Sequence, residues 1–435
     1  MAGRPKQRRE LAVWLNDQRV GRWSISPAGG PAFAYEASWL DAPQSRPLSL
    51  SLPLVRGTRP FRGAAVESFF DQLLPASPMV RLRLQSQGGC ASPSAFDLLS
   101  TWGSDCVGAV SLLGPVAQPG AMTEVNAEPL ADADVARLLD ACCAAPDAPR
   151  GAGIDPVRAL LPGGQPKLAL LWHAGRWCRP REATPTTHVL KLPLGAAPGS
   201  AAGHHTSLAN EWLCGRLLAA FGFDTVPARL DVIGGHRVLV SERYDRRFVD
   251  ARWWARLPAE SLAQALASRA GEPGFAAMLG LLRGAEQPAR DRERLFMTRL
   301  VFWMLAAVDR SARHVAVLLK PGGRCALAPL CGVMSAWPLV GRSPSVASLD
   351  RLRFAQPPAG AGTPPAYTGL TRAIWLQAAK ANALGRDIVS VIDGLTAWTE
   401  RAIDAVADGL PPDFPLSVSE PVFAGLRRSA RRLIP

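Results

Sequence analysis

Residues 187–195 read THVLKLPLG, an apolar run broken by one lysine, and residues 208–214 read LANEWLC, with a glutamate among apolar neighbours. Lys191, flanked by Leu190 and Leu192, must either reach solvent from a sheet edge or meet an anion, because a buried ammonium without a partner is costly. Glu211 is a candidate anion. The short run around Lys191 bounded by Pro193 and Gly195 reads as a strand, and LANEWLCGRLLAAFG reads as a helix following it.

Working outward, PGGQPK at 162–167 is a glycine loop opening the strand KLALLWH, and two more strands follow the helix, in ARLDVI and RVLVSERYD. Beyond 258 the pattern is mainly helical, and RFAQPPAGAGTPPAYTG at 353–369 has the composition of a loop. A set of strands with one early helix, followed by a helical half, is the order of a protein-kinase-like fold. Upstream, LAVWLND and RPLSLSLPLV read as strands, the second because Leu48, Leu50, Leu52 and Leu54 alternate with smaller neighbours. AAVESFFDQLL is a helix with Val66, Phe69, Phe70, Leu73 and Leu74 on one stripe and Pro75 and Pro78 marking its exit. AFDLLSTWGSDCVGAVSLLGP reads helix, glycine turn, strand. A softer region over 115–155 contains the helical DADVARLLDACCAA, with a boundary near its end. The expectation is an α+β architecture: an N-terminal unit with linker over 1–155, a strand-rich nucleotide-binding region over 156–258, and a helical region over 259–435.

The chain has 435 residues, 48% hydrophobic and 20% charged, which suits packed globular units and not disorder. It has no apolar run long enough for a membrane span, and MAGRPKQRRELAVWL lacks the apolar core and cleavage site of a signal peptide, so a cytoplasmic protein without membrane contact is expected. Eight cysteines without CxxC spacing read as buried thiols. The net charge of +13 invites contact with nucleic acid, but the clear basic clusters, GRPKQRR and LRRSARRLIP, lie at the ends, where solvated tails or an acidic partner explain them as well.

Phosphoryl transfer from a nucleotide needs a backbone cradle, a lysine on the phosphates, an orienting carboxylate and metal ligands. Gly163, Gly164 and Gln165 with Lys167 form the candidate cradle, against the plain reading of a hairpin turn. Lys191 and Glu211 match the strand-lysine and helix-glutamate pair of kinases. Glu242 ends an apolar strand where a hinge would hold a purine through main-chain groups. Asp309, in the segment AAVDRSARHVAVLL at 306–319, is followed after four residues by His314, a spacing that copies a kinase catalytic loop but also fits an aspartate ending a helix.

In this order the segments resemble the HipA family of kinase-fold toxins from bacterial toxin–antitoxin modules. RPLSLSLPL, FFDQLLPASPMVR and FDLLSTWGSDCVGAVSLL carry the resemblance in the N-terminal part; TPTTHVLKLPLG, NEWLC, SERYDRR and PLCGVMSAWPLV carry it in the C-terminal part. The resemblance implies a Ser/Thr protein kinase using ATP and magnesium on a protein substrate such as glutamyl-tRNA synthetase. It implies as partner a small helix-turn-helix antitoxin, HipB-like, which brings the pair to DNA indirectly.

The departures fall on the chemistry. Arg158 is followed by Ala159 and Leu160, where the family carries an autophosphorylated serine two residues after an arginine. Pro162 and Pro166 remove amide donors from the glycine loop. The family's DGHAKN is DRSARH here, so Asp309 remains while His314 takes the asparagine's place, and Gly332 in CGV takes the place of the second metal aspartate. Magnesium prefers hard oxygen ligands, which neither residue supplies. The expectation is a degenerate metal site and a HipA-like pseudokinase, with an active kinase and a DNA-associated repressor subunit as alternatives.

Overall fold

The computed structural model describes residues 9–26, 30–57, 59–120, 122–144, 160–195, 206–267, 273–308, 311–342, 348–355, 358, 366–385 and 387–435. The N-terminal unit comprises β1 (Arg9–Leu15), β2 (Gln18–Ser26), β3 (Gly30–Tyr35), α1 (Ala37–Leu40), β4 (Phe61–Arg62), α2 (Ala64–Asp71), α3 (Pro78–Gly88), α4 (Ala95–Trp102) and β5 (Val110–Leu113). Its antiparallel sheet has the order β4-β3-β2-β1-β5. The adjacent phenylalanines of α2 seal it: Phe70 stacks on Trp23 of β2 at 4.0 Å between ring centroids, and Phe69 lies edge-on to Phe70. Pro78 does not simply end α2; it opens α3 in the first turn, where its missing N–H leaves no bond unmade.

The strand expected in RPLSLSLPLV does not form. Residues 48–52 make a turn closed by the Leu52 N–H on the Ser49 carbonyl at 2.9 Å. The period of two has another cause. Leu48 and Leu52 enter the N-terminal core, whereas Leu50 points the opposite way, onto the large helical core. Tyr35 fastens this connector, its hydroxyl accepting from the Leu48 N–H at 2.7 Å and donating to the Leu52 carbonyl.

The second sheet is formed by β6 (Ala127–Pro129), β7 (Lys167–His173), β8 (Arg176–Pro180), β9 (His188–Lys191), β10 (Ala228–Ile233) and β11 (His236–Glu242), in the order β10-β11-β9-β7-β8-β6. α5 (Asp132–Cys143) covers one face through Val135, Leu138 and Leu139, which pack with Leu168, Leu190, Val238 and Val240. α6 (Ser207–Ala220) lies against β10 and β11. β6 and α5 therefore belong to the second sheet. The sheet draws in the chain from 127, upstream of the boundary expected near 155, because the apolar stripe of α5 has its partners on β7, β9 and β11.

The remaining elements are β12 (Arg246–Val249), β13 (Trp253–Arg256), β14 (Ala259–Ser261), α7 (Leu262–Ala265), α8 (Phe275–Leu281), α9 (Pro288–Met304), β15 (Ala316–Leu319), β16 (Cys325–Leu327), α10 (Arg372–Ala381), α11 (Ile388–Ala407) and α12 (Leu416–Arg431). Trp303 of α9 and Trp375 of α10 are fully buried at the centre of the largest core. The small sheet β14-β15-β16 carries the hairpin between the 306–314 segment and the CGV segment. Most of the 353–369 loop lies outside the described residues; its end is ordered where Tyr367 stacks on Trp303 at 5.4 Å. Among the described residues no helix is long and apolar enough to cross a membrane.

A buried ionic cluster ties the first unit to the second. Asp105, between α4 and β5, accepts from Arg246 at 2.7 Å, from Arg256 at 3.2 Å, and from the Thr186 amide and hydroxyl at 3.0 and 2.7 Å. Asp245 holds Arg243 at 2.8 Å and accepts from the Gly108 N–H at 2.7 Å. Burial pushes the Asp105 carboxyl up, but the surrounding guanidiniums of Arg246, Arg243 and Arg256 outweigh it and hold the carboxyl well below its usual range. Arg246 itself is pushed down to about 10 by burial and by the neighbouring Arg243.

Candidate functional site

Strand register decides which way the lysine of THVLKLPLG faces. In the antiparallel ladder Lys191 stands opposite Lys167 of β7 on one side and Leu239 of β11 on the other, so these three side chains share a face of the sheet. Glu211 approaches that face from the first half of α6 and forms an ion pair with the Lys191 ammonium. The Glu211 side chain is only 5% exposed and that of Lys191 14%, so the charges stabilise one another out of water and the solvent-facing alternative is excluded. Glu211 Oε1 makes the contact, while Oε2 is buried with no hydrogen-bond partner.

The glycine loop leads into this face. Gly163 has φ +100, which glycine tolerates and other residues do not. Gln165 donates its side-chain amide to the Leu192 carbonyl at 2.9 Å, and the Leu192 N–H donates to the Pro166 carbonyl at 3.0 Å, which fastens the loop to the end of β9. Lys167 Nζ donates to the Pro162 carbonyl at 2.6 Å, and Gly164 is exposed. The loop thus sets a second ammonium beside Lys191, but its glutamine is engaged within the fold. Arg158 and Ala159 lie outside the described residues.

Glu242 is exposed at the end of β11. Its N–H donates to the Pro227 carbonyl at 3.0 Å and that of Arg243 to the Thr187 carbonyl at 2.8 Å. The two amides at the expected hinge are therefore occupied inside the protein, and a planar ring held there would rely on other main-chain groups.

Asp309 and Arg310 lie outside the described residues. His314 closes a short 3₁₀ turn in which its Nδ1 accepts from the Ser311 N–H at 3.1 Å. That bond fixes the Nε2–H tautomer in the neutral ring and occupies the Nδ1 lone pair. Gly332 has φ +70, and its segment is held on both sides: the Val226 N–H donates to the Leu330 carbonyl at 2.9 Å and the Leu330 N–H to the Asp224 carbonyl at 2.8 Å, and the Asn210 side chain of α6 clasps Ser335, donating to its carbonyl and accepting from its N–H, both at 2.8 Å. Cys331 is exposed beside Gly332, whereas Cys325 is buried. Among the described residues no group of three or more His, Cys, Asp or Glu side chains could hold a metal ion.

The Asn210 clasp is a site feature that residue types alone did not single out, since its partner is main chain at a distance in sequence. The Asp105 cluster was missed as well. The alternating charges of SERYDRR at the end of an apolar strand were its visible signal.

The family model described as HipA-like C-terminal domain matches residues 159–401, and that of the HipA N-terminal domain matches residues 11–113. The curated protein named "Putative kinase Y4mE" from Sinorhizobium fredii (strain NBRC 101917 / NGR234) is 32% identical over 351 residues, spanning 78% of this chain and 80% of that protein. A solved complex of the Shewanella oneidensis MR-1 toxin–antitoxin system, HipA and HipB with operator DNA, contains a chain with a TM-score of 0.74 and 19% identity, covering 97% of both chains. At that identity the likeness is one of fold.

Proposed function

The chain belongs to the HipA family, and from that premise we propose that it is the kinase-fold member of a toxin–antitoxin pair. In this reading it acts in the cytoplasm by binding a small helix-turn-helix antitoxin, reaches DNA through that partner, and is impaired in phosphoryl transfer. The solved HipA, HipB and operator DNA complex, whose HipA chain has the same fold, supports the partner assignment.

The observation that carries the impaired chemistry is the pair of residues at the expected metal positions: Gly332 offers no side chain, and the His314 Nδ1 lone pair is taken up by Ser311. The described residues at these positions do not fit magnesium, which would want carboxylate and amide oxygens there. The glycine-loop side of the site does suit a phosphate chain, since Lys191 and Lys167 stand side by side on one face behind a positive-φ glycine turn. ATP, if bound, would bring a γ-phosphoryl group; the chain's own contribution would be two ammonium charges and the Lys191–Glu211 pair. That intact pair favours the second reading, a kinase that retains activity through Asp309 and phosphorylates a translation-related protein.

The deciding experiment measures ATP binding calorimetrically with magnesium and with EDTA, then protein phosphorylation on the same sample. Binding without magnesium dependence and transfer near background are expected. Robust magnesium-dependent transfer that vanishes in Asp309→Ala would refute the impaired reading. Restoring the ligands in a Gly332→Asp, His314→Asn double variant is expected to tighten ATP at least tenfold with magnesium, about 1.4 kcal/mol, and not with EDTA. Aspartate tolerates the left-handed backbone better than most residues, so the substitution is compatible with φ +70.

A further inference from the structure

β10 is one edge of the second sheet, and it shows apolar side chains to water: Leu230 is 38% and Val232 63% exposed. An edge strand left to solvent more often carries lysine, proline or a bulge. Strand register says which of its main-chain groups are open. The Glu242 N–H donates to the Pro227 carbonyl, and the ladder runs on with Arg229 opposite Val240, Asp231 opposite Val238 and Ile233 opposite His236. Bonded and non-bonded pairs alternate in an antiparallel ladder, so Arg229, Asp231 and Ile233 turn their main-chain groups to β11, whereas Ala228, Leu230 and Val232 turn theirs outward. The Val232 N–H agrees, since it donates to Asp231 Oδ1 of its own strand at 2.8 Å.

An open row of donors and acceptors can take another strand, and the side chains select which. Leu230 stands opposite Leu239 and so shares the α6 face with Ala228 and Val232, while Arg229 and Asp231 lie on the other face, with Arg229 Nε 3.3 Å from Asp231 Oδ2. A second copy of ARLDVI laid antiparallel along this edge meets one constraint: residues directly opposite belong to the same face, which leaves few registers. With Leu230 opposite its counterpart, Ala228 of each copy meets Val232 of the other, and Arg229 of each meets Asp231 of the other. One face is then apolar and the other pairs opposite charges. The neighbouring registers set Asp231 on Asp231 or Arg229 on Arg229, like charges at the close spacing of a non-bonded pair. The ends of the strand suit the first register too. β10 starts beside the helical half, where the Val226 N–H holds the Leu330 carbonyl, and ends at the Gly234-Gly235 turn against Ala136 of α5, so antiparallel pairing sends the two helical halves to opposite ends of the contact.

We propose that β10 is a self-association edge, at which two copies of this chain pair antiparallel about Leu230 and join their second sheets into one. In the pair the Val232 N–H passes from Asp231 to the Ala228 carbonyl of the other copy, which releases the Asp231 carboxylate to Arg229 across the edge. The contact is small, with a strand of six residues from each copy, so a dissociation constant of roughly 10–100 µM is expected. It uses none of the residues assigned to nucleotide or metal and stands apart from the functional reading.

The test is sedimentation velocity of the full chain, without nucleotide and in EDTA, at concentrations up to about 200 µM. A concentration-dependent dimer is expected. Arg229→Asp and Asp231→Arg each set like charges opposite one another at both ends of the contact, and each should weaken the dimer at least tenfold. The first variant then carries two acids and the second two bases, so an equimolar mixture of the two should recover the dimer to within threefold of the parent, a result that a general loss of stability cannot give. Leu230→Pro removes an outward N–H at the centre of the contact and leaves the bonds to β11 in place, so it should weaken the dimer at least tenfold with an unchanged thermal melt. A parent that stays monomeric at every concentration would leave the edge to a strand of some other protein and overturn the proposal. It is equally overturned by a dimer that both charge variants form as readily as the parent, or by folded variants whose mixture fails to pair.

Discussion

Glu260 on β14 is 1% exposed, with Oε1 accepting from the Leu50 N–H at 2.8 Å and Oε2 buried without a partner. Burial, only partly offset by the Leu50 amide and the Ser49 hydroxyl, pushes its carboxyl up to about 7. Tyr35, Ser49 and Cys325 face it. A raised carboxyl means that folding favours the protonated form, so stability is fully present below the unfolded value of 4.5 and is lost as the pH rises toward 7. The loss is about 3 kcal/mol for a shift of this size. His188 acts in the opposite sense: burial, aided by Arg229, lowers it to about 4, so its contribution is lost as the pH falls. Glu260→Gln isolates the carboxylate. Urea melts from pH 5 to 8 should show the variant gaining on the parent as the pH rises, and parallel profiles would reject the assignment. At this scale Lys191 and Glu211 were legible, because a lysine inside an apolar strand announces its need for an anion. Glu260 was not, since in ARLPAESLAQ nothing marks the glutamate as buried; the Leu48–Leu52 turn, far away in sequence, covers it.

At the scale of elements, Asn210 holds α6 to the segment after Gly332 through two bonds to the main chain of Ser335, itself buried. Asn210→Leu fills similar space and leaves a buried N–H and carbonyl unpaired, which should destabilise by about 3 kcal/mol, read as a lower urea midpoint with an unchanged slope. A midpoint equal to the parent's would mean that water replaces the clasp freely. Helices and long strands were legible from period and punctuation, as in LANEWLC and KLALLWH. The 48–54 connector was misread because alternation between two different cores has the same signature as alternation across one sheet. β6 escaped because it is a short polar edge strand whose role depends on β8, about 50 residues later.

For the whole molecule, the Asp105 cluster is the joint between its first unit and the rest. Asp105→Asn would keep the shape and leave Arg243, Arg246 and Arg256 with Asp245 as the one carboxylate of the cluster. Breaking such a buried arrangement costs about 3–5 kcal/mol, and a thermal melt should register a fall of several degrees; an unchanged melt would show that the unit is held by its apolar contacts alone. The order of segments made the two-part kinase-like architecture readable, but the joint lies in pairings that no local window contains.

That joint also governs what would happen if the chain were divided in the loop between β5 and β6. The first piece would keep Asp105 and the second the three arginines and Asp245, each presenting to water a set of charges arranged for the other. Neither piece would be a self-sufficient polypeptide, but the pair would carry its own instructions for reassembly. Expressed as two genes in one cell, they would complement one another, and the association would weaken as Asp105 is protonated.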